Sequence, residues 1–401
     1  MSSGLYSTIT ISTLTTNTIS NIITTTSSIT TNSINASIDR VAQGIYLTPS
    51  PANSIIIQQY FQKVVNTVTA SGSSPFWANN YKFSTGVLAV SNTNLYQGGI
   101  LMRNGNIALT PSNSNTTVTI YNPTTNTTYN SVGGPGYSCA GAVLLPSGNV
   151  LFTGFNAANL SIYNPITNIC SSIAVSLRSR GNVLLPNGNV LMANPGGTAY
   201  IYNPNTNASV QVGSAGASYY YGCGVLLANG NTLLVPASFN GLYPVPVAIY
   251  NTTSGVSYPG PYLSVNTYNR GILLPNGNVL FTPIGTTTPV TVYNINTNTF
   301  TSASGPLPGN NAYYSGVLLP DGKVLLIPWG VINFGIYNYI TNVFSTIASG
   351  LSTAPYYSGG VLLPNGNVVL VPGNGLLSID IFSTNLICPL EFCLSPYFNK
   401  V

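Results

Sequence analysis

The sequence predicts an all-β chain: a seven-bladed β-propeller of four-stranded blades, behind an N-terminal neck that is β-rich or extended and one short helix. Three observations predict it. A hairpin signature, in which Asn-Gly or a close variant separates two apolar runs, recurs with its glycine at Gly105, Gly148, Gly188, Gly230, Gly277, Gly322 and Gly366, 40 to 47 residues apart. Each of the first six copies is followed by Ile-Tyr-Asn or a variant, at Tyr121, Tyr163, Tyr202, Tyr250, Tyr293 and Tyr337, often continuing as Pro-x-Thr-Asn into a β-branched run, which reads as a second hairpin. Runs such as Val-Leu-Leu carry no polar alternation, as expected of strands that pack on both faces.

Two hairpins per period give four strands, the content of one propeller blade. The clearest copies are Gly-Asn-Val-Leu-Leu-Pro-Asn-Gly-Asn-Val-Leu from Gly181 and Gly-Val-Leu-Leu-Pro-Asn-Gly-Asn-Val-Val-Leu from Gly360, where Asn-Gly tolerates the positive φ of a tight turn. Repeat seven supplies only three strands, near Val361, Val368 and Ser378, before a cysteine-containing tail. Tyr81-Lys-Phe-Ser-Thr, upstream of repeat one, resembles the missing fourth, so residues 81–85 are expected to complete the last blade and remove an exposed edge.

Four regions follow. Residues 1–40 are a Thr/Ser/Ile-rich neck or anchoring segment, 41–80 a linker, 81–386 the propeller and 387–401 a tail. The linker run between Ser54 and Val68 has helix-compatible apolar spacing behind Pro51-Ala-Asn53, which places the short helix there. Cys388 and Cys393 are near enough in sequence to close a small loop in an oxidising compartment.

Composition excludes several functions. Only 3% of the 401 residues are charged, against about a quarter in ordinary domains. A neutral polar surface has little repulsion between copies and suits a dense assembly or an exterior. The net charge of +5 comes from nine scattered basic residues that form no stripe, so nucleic acid is not an expected partner. No apolar run reaches the length of a membrane span, and the first residues lack a secretory pattern. The five cysteines have no zinc-site spacing, and the chain has no histidine.

The acidic residues are Asp39, Asp321, Asp380 and Glu391, which leaves almost no candidates for an acid/base pair. No nucleophile has an activating base, and Lys63, Lys82, Lys323 and Lys400 have no motif around them. The chain is therefore expected not to be an enzyme, with no catalytic residue, no metal and no cofactor. The candidate binding residues stand before each first strand: Tyr96, Tyr221, Tyr268, Tyr313 and Tyr357, three residues ahead of the glycine within that strand (Gly99, Gly224, Gly271, Gly316 and Gly360), with Tyr137 one place earlier in repeat two and Arg178 in repeat three. The expected result is a tyrosine-lined rim at the mouth of the central channel. Tyrosine suits stacking on a sugar or anchoring a protein, and Arg178, Arg180 and Arg270 supply donors for an acidic group. The competing reading is that these tyrosines pack over the blade ends as repeat consensus.

The order Leu-Pro-Asp-Gly-Lys-Val-Leu (319–325), Ile-Tyr-Asn (336–338) and Thr-Asn-Val-Phe (341–344) resembles a kelch motif of the kind found in galactose oxidase-like propellers, over roughly residues 81–386. Most of the paired glycines are missing, and Asn replaces the usual Asp after Tyr. The resemblance implies the propeller, but the copper of those oxidases is held by histidine and tyrosine, so without histidine that activity is not carried over. The Thr/Ile stretch at residues 7–38 resembles the β-structured necks of viral and phage fibres, with a disordered linker as the alternative.

The leading expectation is a virion surface protein, a fibre or spike head. The N-terminal segment attaches to capsid or other virion proteins and makes the chain a homo-oligomer, a trimer being one form, while the propeller meets a host glycan or receptor. The alternatives are an extracellular or cell-surface adhesin or sheath protein with a carbohydrate-binding propeller, and a kelch-type adaptor.

Overall fold

In the computed structural model, residues 82–84 and 96–384 are described, apart from 113–116, 155–158, 176, 195–197, 215–220, 237–244, 253, 264–267, 285–287, 307–311, 350 and 377. The expected neck, helix, Cys388–Cys393 loop and tail lie outside these residues. The described residues contain no helix and 28 strands, numbered β1 to β28 from Lys82–Ser84 to Asp380–Ser383. They form seven four-stranded antiparallel sheets, each a blade.

In the first six blades the chain runs outward, strand by strand, and then crosses to the inner edge of the next blade. The inner strands are β2 (Tyr96–Leu101), β6 (Cys139–Leu144), β10 (Gly181–Leu184), β14 (Tyr221–Leu226), β18 (Tyr268–Leu273), β22 (Tyr313–Leu318) and β26 (Tyr357–Leu362). Each touches the inner strands of both neighbours, and β2 touches β26, so the ring closes. The second strands, such as Val-Leu-Leu-Ile-Pro at Val324–Pro328, are buried along their whole length. They lie between adjacent blades, which explains the missing alternation.

The first hairpin of every blade is built by local chemistry. In blade three the Gly188 N–H donates to the Leu185 carbonyl at 2.9 Å, and the Leu185 N–H to the Asn189 carbonyl at 2.8 Å. The same pair of bonds recurs at each of the other six turn glycines. This is a type I turn followed by a left-handed residue, a three-residue loop. Only the glycine has positive φ, +81° at Gly188, and the preceding Asn has another task. Its side-chain oxygen accepts the backbone N–H two residues on, 3.1 Å from Asn187 Oδ1 to Asn189 N. Ser147 and Asp321 do the same in blades two and six, which is why short acceptor side chains replace one another there.

The second hairpin explains Tyr-Asn and Thr-Asn. Asn294 accepts the N–H groups of Asn296 and Thr297, at 2.9 and 3.2 Å, and so starts the turn. Asn298 ends it in a left-handed conformation, φ 56°. The Tyr293 hydroxyl donates to Asn298 Oδ1 at 2.7 Å and holds the amide in place. Matching latches join Tyr121 to Asn126, Tyr163 to Asn168, Tyr202 to Asn207 and Tyr337 to Asn342. Blade four has Gly255 at that point, φ 71°, and needs no latch.

Blade seven is completed from the other end of the ring. β1 (Lys82–Ser84) pairs antiparallel with β28 (Asp380–Ser383), Phe83 lying opposite Phe382. The Phe83 ring is 5.8 Å from that of Phe334 in blade six, and Phe334 is 4.9 Å from Phe382, so the closing strand is anchored in a three-ring cluster.

Two outcomes are expected. Phe83→Ala removes the partly buried anchor and costs about 2 kcal/mol, read as a fall in Tm; an unchanged Tm would show that the closing strand carries no stability. At the latch, Asn298→Ala takes from the left-handed position the side-chain amide that makes asparagine tolerable there and loses the tyrosine bond, about 2 kcal/mol together. Asn298→Gly removes only the bond and costs about half as much, so equal denaturation midpoints for the two variants would contradict the latch.

Candidate functional site

Counting nine residues back from each turn glycine gives structurally equivalent positions at the start of each inner strand or, in blade three, two residues before it: Tyr96, Cys139, Ser179, Tyr221, Tyr268, Tyr313 and Tyr357. All seven are buried. The five tyrosines are at most 3% exposed. Their rings run into the blade, and three hydroxyls reach the blade's third strand: Tyr96 bonds Thr119 at 2.9 Å, Tyr268 bonds Thr291 at 2.6 Å, and Tyr357 donates to Asp380. The expected tyrosine-lined rim is therefore corrected, because these side chains belong to the core. The cause is a register shift just after the tyrosine, for example between Tyr96 and Gly99 and between Tyr357 and Gly359, which re-aims the side chain away from the channel.

The two assigned substitutes are also not equivalent to these tyrosines. Tyr137 lies before β6, half-buried against the blade-two core, its hydroxyl donating to the Phe152 carbonyl at 3.2 Å. Arg178 is exposed, whereas Ser179 is buried and donates to the Ala193 carbonyl at 3.1 Å.

The channel is lined by the residues that follow. At the first position after the start stand Gln97, Ala140, Arg180, Gly222, Asn269, Tyr314 and Ser358. Hydrogen bonds join several of them: Asn269 Nδ2 donates to the Tyr314 carbonyl at 2.8 Å, and the Tyr314 hydroxyl to Gln97 Oε1 at 2.7 Å, past blade seven. The Tyr314 ring also lies 4.7 Å from Trp329. One position further, six blades carry Gly, Cys or Ser and blade five carries Arg270. Only 7% of Arg270 is exposed, and Arg270 Nη1 donates to the Gly222 carbonyl at 3.0 Å.

The third position sets the bore. Gly99, Gly224, Gly271, Gly316 and Gly360 occupy it in five blades, and each abuts a Val or Ile of the preceding inner strand. A β-carbon at Gly224 would sit 2.1 Å from Val183. Blade two has Ala142 here and blade three Asn182, whose amide Nδ2 donates to Thr153 Oγ1. The resulting pocket is lined by Arg180, Asn182, Cys223, Arg270 and Ser315 among the glycines, and its free volume is about 30 Å³. That is room for a few waters or a small ion, not for a sugar ring.

The carboxylates that the structure describes are both engaged elsewhere. Asp321 lies in a hairpin turn, 2.9 Å from Lys323 Nζ, and Asp380 is buried under Tyr357. Among the described residues no group of three His, Cys, Asp or Glu side chains is placed to hold a metal.

The fold is shared with enzymes of known structure. A catalytically inactive histidine-to-alanine variant of virginiamycin B lyase from Staphylococcus aureus, with quinupristin, matches with a TM-score of 0.63 and 12% identity, over 76% of this chain and 99% of that one. A streptogramin B lyase gives 0.64 at 12% identity, over 77% and 99%. A fungal alcohol oxidase of the AA5 family, in complex with copper, gives 0.57 at 12%, over 76% of each chain. At this identity the likeness is one of fold, a seven-bladed propeller of four-stranded blades. No protein-family model and no curated protein matches the chain.

Burial shapes the titration of this interior. It pushes the Cys139 thiol well up, with the nearby Cys170 adding to the shift, and Cys170 itself up to about 12. It raises Tyr313 too, and Tyr357 by burial first and then by the Asp380 carboxylate. A raised folded pKa means stability that is intact below the unfolded value and lost as pH climbs toward the folded one. Stability is expected to decline above about pH 8.5, where unfolded thiols ionise, and more steeply above about 10, where unfolded tyrosines do. Tm measured against pH, with tyrosinate absorbance followed in parallel, checks this; tyrosine ionisation at its ordinary pH without unfolding would contradict it.

Proposed function

We propose that the chain is a non-enzymatic virion surface protein, a fibre or spike head whose propeller packs in a dense assembly and meets a host glycan or receptor through an exposed surface. The observation that carries this reading is the outer edge of the disc. The outermost strands of six blades, β5 (Thr127–Asn130), β9 (Ile169–Ile173), β13 (Ala208–Ser214), β17 (Val256–Leu263), β21 (Thr299–Ser302) and β25 (Val343–Ile347), contain no charged residue. Freely diffusing proteins guard such edges with charge, usually lysine, to prevent pairing with other chains. An edge of Thr, Ser and Asn, with Ile169 47% and Val210 64% exposed, suits a subunit surrounded by neighbours.

The chemistry of the chain supports the absence of enzymatic activity. The virginiamycin B lyase variant that lacks one histidine is described as inactive, and this chain has no histidine to supply that group. The two described carboxylates have structural partners. The kelch-like order of motifs adds no catalytic group. Residues 1–40 then attach the head to the particle, the kind of linkage a fibre neck provides.

The test compares purified particles made with the native chain and with Ser171→Lys, Thr301→Lys and Thr346→Lys combined, all on exposed positions of outer strands. The variant is expected to fold with Tm nearly unchanged and to be lost from the particle surface, as read by antibody labelling. Full incorporation of the variant, or absence of the native chain from particles, overturns the reading.

A further inference from the structure

We infer that the channel holds a binding site for a small carboxylate, centred on Arg270. The guanidinium is more than nine-tenths buried, and its Nε has no hydrogen-bond partner. Its neighbours in the pocket are Arg180, half-buried in blade three, the Asn182 amide and the Ser315 hydroxyl. A buried cation is normally paired, because an opposite charge must offset its loss of hydration. Here the two described carboxylates are placed elsewhere, Asp321 beside Lys323 and Asp380 under Tyr357. Arg270 thus brings a buried positive charge and a vacant donor to the pocket.

A second polar atom points to the same occupant. Asn182 Oδ1 is buried without a partner while its Nδ2 donates to Thr153. A half-turn of the amide, with the Thr153 hydroxyl rotated off its long bonds to the Gly141 and Ser179 carbonyls at 3.4 and 3.3 Å, reverses both relations: Oδ1 then accepts from the Thr153 hydroxyl, and Nδ2 faces the pocket as a further donor. Bound anion drives that turn and leaves no orphan on Asn182. A planar guanidinium matches a carboxylate better than a spherical ion, and the free volume of about 30 Å³ limits the occupant to the size of formate or acetate.

Asn182 is also the structural exception that makes the site. Five blades have glycine at this position and a sixth has alanine, and a side chain fits in blade three because it lies over Gly141 of the blade before, where a β-carbon would be 2.6 Å from Asn182 Nδ2. The site therefore belongs to the side of the ring formed by blades two to six.

The experiment measures Tm of the full chain against sodium acetate, with sodium chloride at matched ionic strength as reference. A saturable rise of about 4 °C at high occupancy is expected with acetate, smaller with chloride, and retained in the exposed-surface control Arg178→Ala. Arg270→Met, which keeps the volume and removes the charge, is expected to fold, to match or exceed the native Tm without acetate, and to show no acetate dependence. Should Arg270→Met fold poorly, Asn182→Gly, which restores the residue of five other blades, is the second variant and is expected to weaken the acetate response at least fivefold. An acetate response equal in native chain and Arg270→Met, or none in the native chain, overturns the site. Competition by N-acetylneuraminic acid overturns its size limit.

Discussion

Seven inner strands converge on one axis, and the distance at which they do so depends on the absence of side chains at one position. Gly99, Gly224, Gly271, Gly316 and Gly360 admit the Val or Ile of the preceding blade into the space a β-carbon would fill, with Val183 lying against Gly224 and Val317 against Gly360. That contact repeats around the axis and converts seven sheets into one ring, because an inner strand held further out would open the apolar seam between second strands. The buried tyrosines lie outside that contact. The register shift after Tyr313 turns its ring into the blade, its Cζ 3.0 Å from where a β-carbon would stand at Gly335.

The blades were legible in the sequence because their turns are local. Leu-Pro-Asn-Gly-Asn and Tyr-Asn-Pro-x-Thr-Asn each specify φ values, an acceptor side chain and a return bond within a few residues, so hairpins could be counted without tertiary information. Closure was legible as well: three strands in repeat seven and one spare strand near Phe83 leave a single pairing. The tyrosine rim was misread for a different reason. A side chain's direction normally follows from alternation, but a bulge one or two residues after each tyrosine breaks the count, and bulges leave no reliable mark in the sequence.

The equivalence of Cys139 and Ser179 to the tyrosines shows only at the turn glycine, where all seven repeats agree, and is hidden at the upstream glycine, where blades two and three depart. Asn182 carried a signal of its own, an amide standing where five other repeats have glycine. Arg270 was legible only as a residue type, since the burial that distinguishes it from Arg178 comes from the curvature of the ring. Gln97, Asn269 and Tyr314 gave no sign, because the hydrogen bonds that join them cross from blade to blade, over 45 and 217 residues of sequence.

The strand pair that shuts the ring also sets a timetable. Lys82 and Ser383 are register partners, so β1 leaves the ribosome about 300 residues before its mate. At a synthesis rate of about 5–20 residues per second, that interval is roughly 15–60 s. Six blades can assemble in order as they emerge, each using contacts with the one before, but the seventh waits for both ends. During that wait the first and last inner strands have neighbours on one side only, and the apolar face of β2 is uncovered. A cell making this protein must shield a half-built ring over that whole interval, in a chain whose outer strands carry almost no charge to keep nascent copies apart.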